Sequence, residues 1–321
     1  MVKGARYSPS AGDIQNRRRS VAQEIRLVLR RNAVWWHPWL YLGPALLVMF
    51  TMTIYPFVYT VILSLSRWNL TFARPRTFIG LGNYQAILAS ADFWACAGRT
   101  FWYVGGCVTV ELVLGISIAF LLDTQFIGRN IVRTLILLPM VMAPVVAGLI
   151  WRFIFNDEWG LANNIVGLFG IGSKAWLVDP RLAFFAVIVA DVWQWTPFIV
   201  LITLAGLQAV PRELIEAARV DGATWFQIQR FVALPTIRAV LTIGLLIRLI
   251  DAFRTVDQIF VMTYGGPGVA TSVLGFYTYI KGFKFFDMGY TAALGIIMLF
   301  IISVLAQLII GMIIRTRENR P

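Results

Sequence analysis

Histidine and cysteine are almost missing from this chain, and charge is scarce. Its 321 residues include one histidine, His37, and two cysteines, Cys96 and Cys107. A single imidazole excludes a histidine-built metal centre and a serine–histidine–acid triad within the apolar part of the chain. The two cysteines, eleven positions apart with at least the second on a helix, sit too far apart to bridge and read as packing residues. No glycine loop followed by its phosphate-binding lysine occurs, so any nucleotide chemistry must come from a partner. Internal repeats and a soluble catalytic domain are missing too, and no cluster of acids, histidines and cysteines gathers at one face. These absences argue against an enzyme and imply no cofactor.

What the chain does have is apolar length. Hydrophobic residues make up 59% of it, charged residues only 14%, and the mean hydropathy is +0.73. A soluble domain cannot bury that much apolar surface, so an all-α integral membrane protein is the expectation. Six stretches reach the roughly 20 residues needed to cross a bilayer, near 40–64, 101–122, 133–155, 182–207, 237–263 and 289–314. The first follows a long basic segment with no small-residue cleavage site after it, which favours a retained span over a signal peptide. The expected division is a basic tail over 1–38, a transmembrane domain over 39–315 and a short tail over 316–321. Within the first tail, Val21–Leu29 reads either as an amphipathic surface helix or as part of a disordered basic leader.

Orientation follows from the basic residues. Seventeen lysines and arginines fall before the first span, in the second-to-third and fourth-to-fifth loops, and in the tail; nine fall on the opposite side. The positive-inside rule then places both termini in the cytoplasm, and a bacterial cytoplasmic membrane with anionic lipid accounts for the net charge of +12. Beyond the cluster Arg17–Arg19, nothing supports binding to nucleic acid.

The loop over 208–235, between spans four and five, is the most informative segment. Pro211 suits a first helical position, Gly222 can take the left-handed conformation that ends a short helix, and Thr224 with Gln227 fits a capping box opening a second. Pro235 is expected to interrupt the helix before the fifth span. The result is a short helix displayed outside the membrane, carrying Glu216 and the small Ala217 and Ala218 for close approach by another protein.

This segment resembles the coupling motif of the permease subunits of binding-protein-dependent ABC importers. Glu216, Ala217, Ala218, Gly222, Leu234 and Pro235 match that motif in order and spacing, with Val232 where isoleucine is usual; Asp221 stands beside the glycine. The likeness extends over roughly 40–314 and points to the carbohydrate-uptake branch, through Gly80 to Tyr84, Trp151 with Arg152, Trp176 with Leu177, Ala205 to Gln208, and Gly289 with Tyr290. It implies the six-helix type I importer fold with a cytoplasmic coupling helix. It also implies two ATP-binding subunits, a second permease subunit in a heterodimer, and an extracytoplasmic solute-binding protein. A secondary transporter driven by an ion gradient would call for repeated halves or broken helices bearing ion ligands, and the sequence marks neither.

Within the fifth span stand Arg248, Asp251, Arg254 and Asp257. Each would cost about 2.5–3.5 kcal/mol at the centre of a lipid-facing helix, and three-residue spacing lets successive charges pair while winding across the helix surface. Two readings stand: a helix lining the translocation path or the interface with the second permease, and an ion-pair ladder holding helices together. Glu111 is a lone acid in the second span, available to an arginine elsewhere. Trp193, near Pro197, is a candidate for lining the path, as its ring face suits sugar CH groups, or for anchoring at the membrane interface. The outer loop over 264–288 opens with Gly265, Gly266 and Pro267 and is a candidate surface for the solute-binding protein; its aromatic run also suits a helix lying in the interface.

Overall fold

A computed structural model describes residues 41–72 and 75–318. The basic segment 1–38, with Val21–Leu29, and the last three residues lie outside the described residues. The chain divides into two compact units, residues 1–62 and 63–321. The described part of the first, residues 41–62, lies within helix α1, Tyr41–Ser64, with a mean hydropathy of 2.0.

The second unit opens with a two-residue antiparallel pair, β1 (Ser66–Arg67) and β2 (Thr77–Phe78), in which Ser66 faces Phe78. Helices α2 (Gly82–Leu88) and α3 (Ala91–Asp123) follow. The second span therefore starts about ten residues earlier than hydropathy suggested. The Ser90 hydroxyl caps the Phe93 amide, so the helix begins at its cap and not at the edge of the apolar run.

The third expected span, 133–155, is broken. Helices α4 (Arg129–Val141) and α5 (Pro144–Ile154) meet at 101°. Pro144 has no amide to donate and holds Ala143 in extended geometry, so the helix cannot pass through this point. Among the described residues five helices are long and apolar enough to cross a membrane, six crossings if this bent pair counts as one. The segment after α5 is not a plain loop, for it carries α6 (Leu161–Leu168). Helix α7 (Pro180–Gln208) retains Pro197 within it.

Helices α8 (Arg212–Val220) and α9 (Trp225–Ile228) lead through a wide π-helical turn, Gln229–Ala233, into α10 (Leu234–Phe253). Pro211 caps α8 one position before the helix. Pro235 does not interrupt anything: the preceding turn is closed by the Leu234 amide on the Gln229 carbonyl, and the run Trp225–Phe253 continues as one helix. An i→i+5 turn absorbs the missing proline donor. The fifth span is also shorter than expected. It ends at Phe253, and α11 (Asp257–Met262) is a separate helix. The segment after it contains α12 (Leu274–Tyr279) and a second π-helical turn, Ile280–Lys284, before α13 (Met288–Glu318).

Helices α3 and α7 form the central pair of this unit, with α10 against both, α4 on α7, and α5 on α11. Gly115 makes the central crossing close: a β-carbon there would lie 2.6 Å from the Ile199 side chain. Small residues permit such approach where lipid supplies no hydrophobic drive to association. The main apolar core gathers Tyr103, Cys107, Ala186, Ala190, Phe253, Ile259 and Phe276. Both cysteines are buried free thiols.

Candidate functional site

Two backbone breaks and one buried arginine build the candidate site. Arg248 of α10 is 1% exposed and points into the centre of the bundle. Its Nε donates to Glu111 Oε2 at 2.7 Å and Nη2 to Glu111 Oε1 at 2.9 Å, a bidentate pair with α3. Nη2 also meets Asp191 of α7, and Nη1 donates to Asp251 at 3.1 Å one turn along α10. The Trp195 ring lies 5.2 Å from the guanidinium, within range for cation–π attraction. Glu111 and Asp191 are buried, whereas the Asp251 side chain is half exposed. Only arginine offers donors in a fork that can join three helices at once.

A cleft of about 210 Å³ opens beside this cluster, lined by Pro144, Asp191, Trp195, Asp251, Arg254 and Asp257, with Gln258 at its base. Its position is set by the two breaks. The bend between α4 and α5 leaves the Met142 carbonyl without a helical partner, and the Gln194 amide donates to it at 2.9 Å. Gln194 in turn accepts from Gln258 Nε2 of α11 at 2.6 Å. Helix α5 packs directly on α11. The Gln258 Oε1 is buried with no hydrogen-bond partner, a free acceptor at the base of the cleft.

The sequence-derived candidates separate in space. Asp251, Arg254 and Asp257 share the cleft, with Arg248 beneath it. The ladder is partial: among the described residues Arg248 carries every ion pair, and the pair three residues apart is Arg248–Asp251. Trp193 packs edge-on against Trp151, at 5.7 Å between rings; the indole at the cleft is Trp195. Glu111 finds its arginine. Asp191 and Gln194 were not singled out from sequence, although an aspartate and a glutamine three apart in an apolar helix are the visible trace of this site.

The displayed helix is a second feature. No residue of α8 is buried, and Glu216 and Ala217 are exposed. The Asp221 amide closes on Ala217, and Gly222 takes φ +79°. The Thr224–Gln227 capping box is complete. Leu214, Val220, Phe226 and Phe231 are exposed on the same loop. Leu234 and Pro235 are half-buried where α10 begins.

Gly265, Gly266 and Pro267 form a knot rather than an open loop. Gly265 has φ +81°, and a β-carbon there would meet the Phe276 ring at 2.5 Å. The Thr271 hydroxyl donates to the Gly266 carbonyl at 2.9 Å, and the Thr263 and Thr271 hydroxyls lie 2.6 Å apart.

Comparison with known proteins agrees with this architecture. Residues 111–318 match the family described as "Binding-protein-dependent transport system inner membrane component". A probable ABC transporter permease protein, y4oQ of Sinorhizobium fredii, is 38% identical over 91% of this chain and 94% of its own length. The trehalose/maltose transport system permease protein MalF of Thermococcus litoralis is 37% identical over 77% of this chain and 82% of its own. In fold, the chain is similar to a bacterial ABC transporter involved in the import of the acidic polysaccharide alginate, with TM-score 0.76 at 20% identity, covering 93% of this chain and all of that one.

Proposed function

The chain belongs to the inner membrane components of binding-protein-dependent transport systems, and from that premise we propose how it works. It is a multi-pass membrane protein with the type I importer fold, the permease subunit of an ABC importer and a transport component rather than an enzyme. The solute is a carbohydrate. The similarity to a trehalose/maltose permease supports this, and so does the chemistry of the cleft. Asp251 and Asp257 offer acceptors for hydroxyl protons, Arg254 a donor, and Trp195 an aromatic face for apolar CH groups.

In this reading Arg248 is a strut and not a ligand. It is 1% exposed, and it holds α3, α7 and α10 together beneath the path, leaving Asp251, Arg254 and Asp257 to face the solute. Trp193 supports the cleft from behind through Trp151.

Coupling to ATP runs through α8. The observation that carries the proposal is this exposed amphipathic helix, with Glu216, Ala217, Ala218, Asp221 and Gly222 outside the bundle and a capped turn fixing its direction. Such a surface fits a groove on one of the two ATP-binding subunits. Leu234 and Pro235 pass the motion into α10 and so to the cleft. The second permease subunit is a different chain contributing an equivalent helix. Both termini and α8 face the cytoplasm, as the distribution of basic residues supports. The Gly265–Pro267 knot faces outward and meets the solute-binding protein.

Uptake by proteoliposomes containing the assembled complex tests this. Labelled maltose or trehalose should enter only with ATP, the ATP-binding subunits and the loaded binding protein, and vanadate should stop it. Entry driven by a proton or sodium gradient without the ATP-binding subunits would overturn it.

A further inference from the structure

A larger cavity, about 390 Å³, lies away from the cleft, between the end of α3 and the α8–α9 hairpin. Its polar lining is Asp123, Thr124, Gln125, Arg219 and Gln229, and Trp225 supplies an aromatic wall. Leu207 and Val210 at the end of α7 close its apolar side. None of these groups belongs to the cleft or to the match with the coupling motif.

Gln229 is the group that calls for explanation. It is 7% exposed, and its Oε1 is buried without a hydrogen-bond partner. A buried acceptor left unpaired is destabilising. Gln229 opens the π-helical turn Gln229–Ala233, an extra-residue turn of the kind that gathers at functional sites. The Trp225 ring is held edge-on by Phe120 of α3, at 6.4 Å between centroids, so the aromatic wall is braced. An acceptor wanting a hydroxyl, a carboxylate, a guanidinium and a braced indole form a set that suits a polyhydroxylated ring.

We propose that this cavity is a second carbohydrate site, on the same side of the molecule as the coupling helix, through which accumulated solute restrains uptake. Gln229 accepts a hydroxyl proton, Asp123 and Arg219 bind further hydroxyls, and Trp225 stacks on the ring. A ligand held between α3 and the hairpin ties α8 to the bundle and opposes the motion that coupling requires. The inference rests on the carbohydrate reading above.

Direct occupancy is measurable because Cys96 and Cys107 are buried, so a cysteine placed at exposed Gln125 becomes the reactive thiol. With the assembled complex in nanodiscs, without binding protein, millimolar maltose or trehalose should slow maleimide labelling of Gln125→Cys several-fold. Adding Asp123→Asn or Gln229→Leu should remove that protection. In proteoliposomes, unlabelled sugar loaded on the ATP side should reduce initial uptake several-fold in the wild type but not in Asp123→Asn. Unchanged labelling at every sugar concentration, or equal protection in both variants, would overturn the site. Protection that depends on phosphatidylglycerol in the nanodisc and not on sugar would assign the cavity to lipid and likewise overturn it. Normal ATP-driven sugar uptake alongside unprotected labelling defeats this inference alone; absence of any sugar uptake by the wild type defeats the carbohydrate reading and this site with it.

Discussion

A guanidinium that serves three carboxylates holds them together only while it is present. Replacing Arg248 by methionine leaves Glu111 and Asp191 buried with no cation, and breaking such a pair from one side costs about 3–5 kcal/mol. The purified permease should therefore unfold at a clearly lower temperature as Arg248→Met. Arg254→Met, at an exposed position of the cleft, should leave the melting temperature near wild type and raise the KM for uptake. Equal thermal effects from the two would mean that Arg248 is not the strut. Sequence made part of this cluster legible. Three-residue spacing on one helix announces the Arg248–Asp251 pair, and an acid inside an apolar run announces that Glu111 needs a partner. The partner itself lies 137 residues away, and no local pattern encodes that meeting. Asp191 is illegible for the same reason, and the sequence alone does not say which indole, Trp193 or Trp195, lies at the cleft, because a helix's facing direction depends on neighbours that its own sequence does not name.

Turn chemistry is written locally, and the elements around α8 were accordingly readable. Gly222 does take a positive φ, and Thr224 with Gln227 does form its capping box. A valine at Gly222 would sit in the left-handed region at a cost of about 1–2 kcal/mol and should misdirect α8. Gly222→Val should insert and assemble yet lose most uptake, measured against complex recovered from the membrane. The breaks were less readable. Hydropathy sums composition and carries no direction, so 133–155 reads as one straight span although Pro144 turns it through 101°. Nothing at 254–256 resembles a stop signal; this break is held from outside, where Gly275 lets α12 approach the Thr255 carbonyl so closely that a β-carbon would stand 2.6 Å away. The knot at Gly265 gives a further test. Gly265→Val forces both a strained φ and a clash with Phe276, so binding-protein-stimulated ATP hydrolysis should fall while basal hydrolysis persists. Stimulation at the wild-type level would move the docking surface to the segment 66–90 or to α6.

At the scale of the whole molecule, composition settles the membrane class, and the motif settles the family before any coordinate is drawn. The proposed topology, with both termini and α8 in the cytoplasm, is open to direct test. Tags in the segment 79–82 should be reachable from outside intact cells, whereas thiols introduced in α8 should react only after the membrane is opened; external labelling of α8 would invert the model. The central claim is that this permease converts ATP hydrolysis into carbohydrate entry through the charge and shape of α8. Glu216 is exposed on that helix, so Glu216→Lys reverses a contacting charge without replacing a buried side chain. The decisive measurement is uptake and binding-protein-stimulated ATP hydrolysis in the same proteoliposomes. Glu216→Lys should abolish both while the permease remains inserted and folded; uptake at the wild-type rate in that variant would contradict the account.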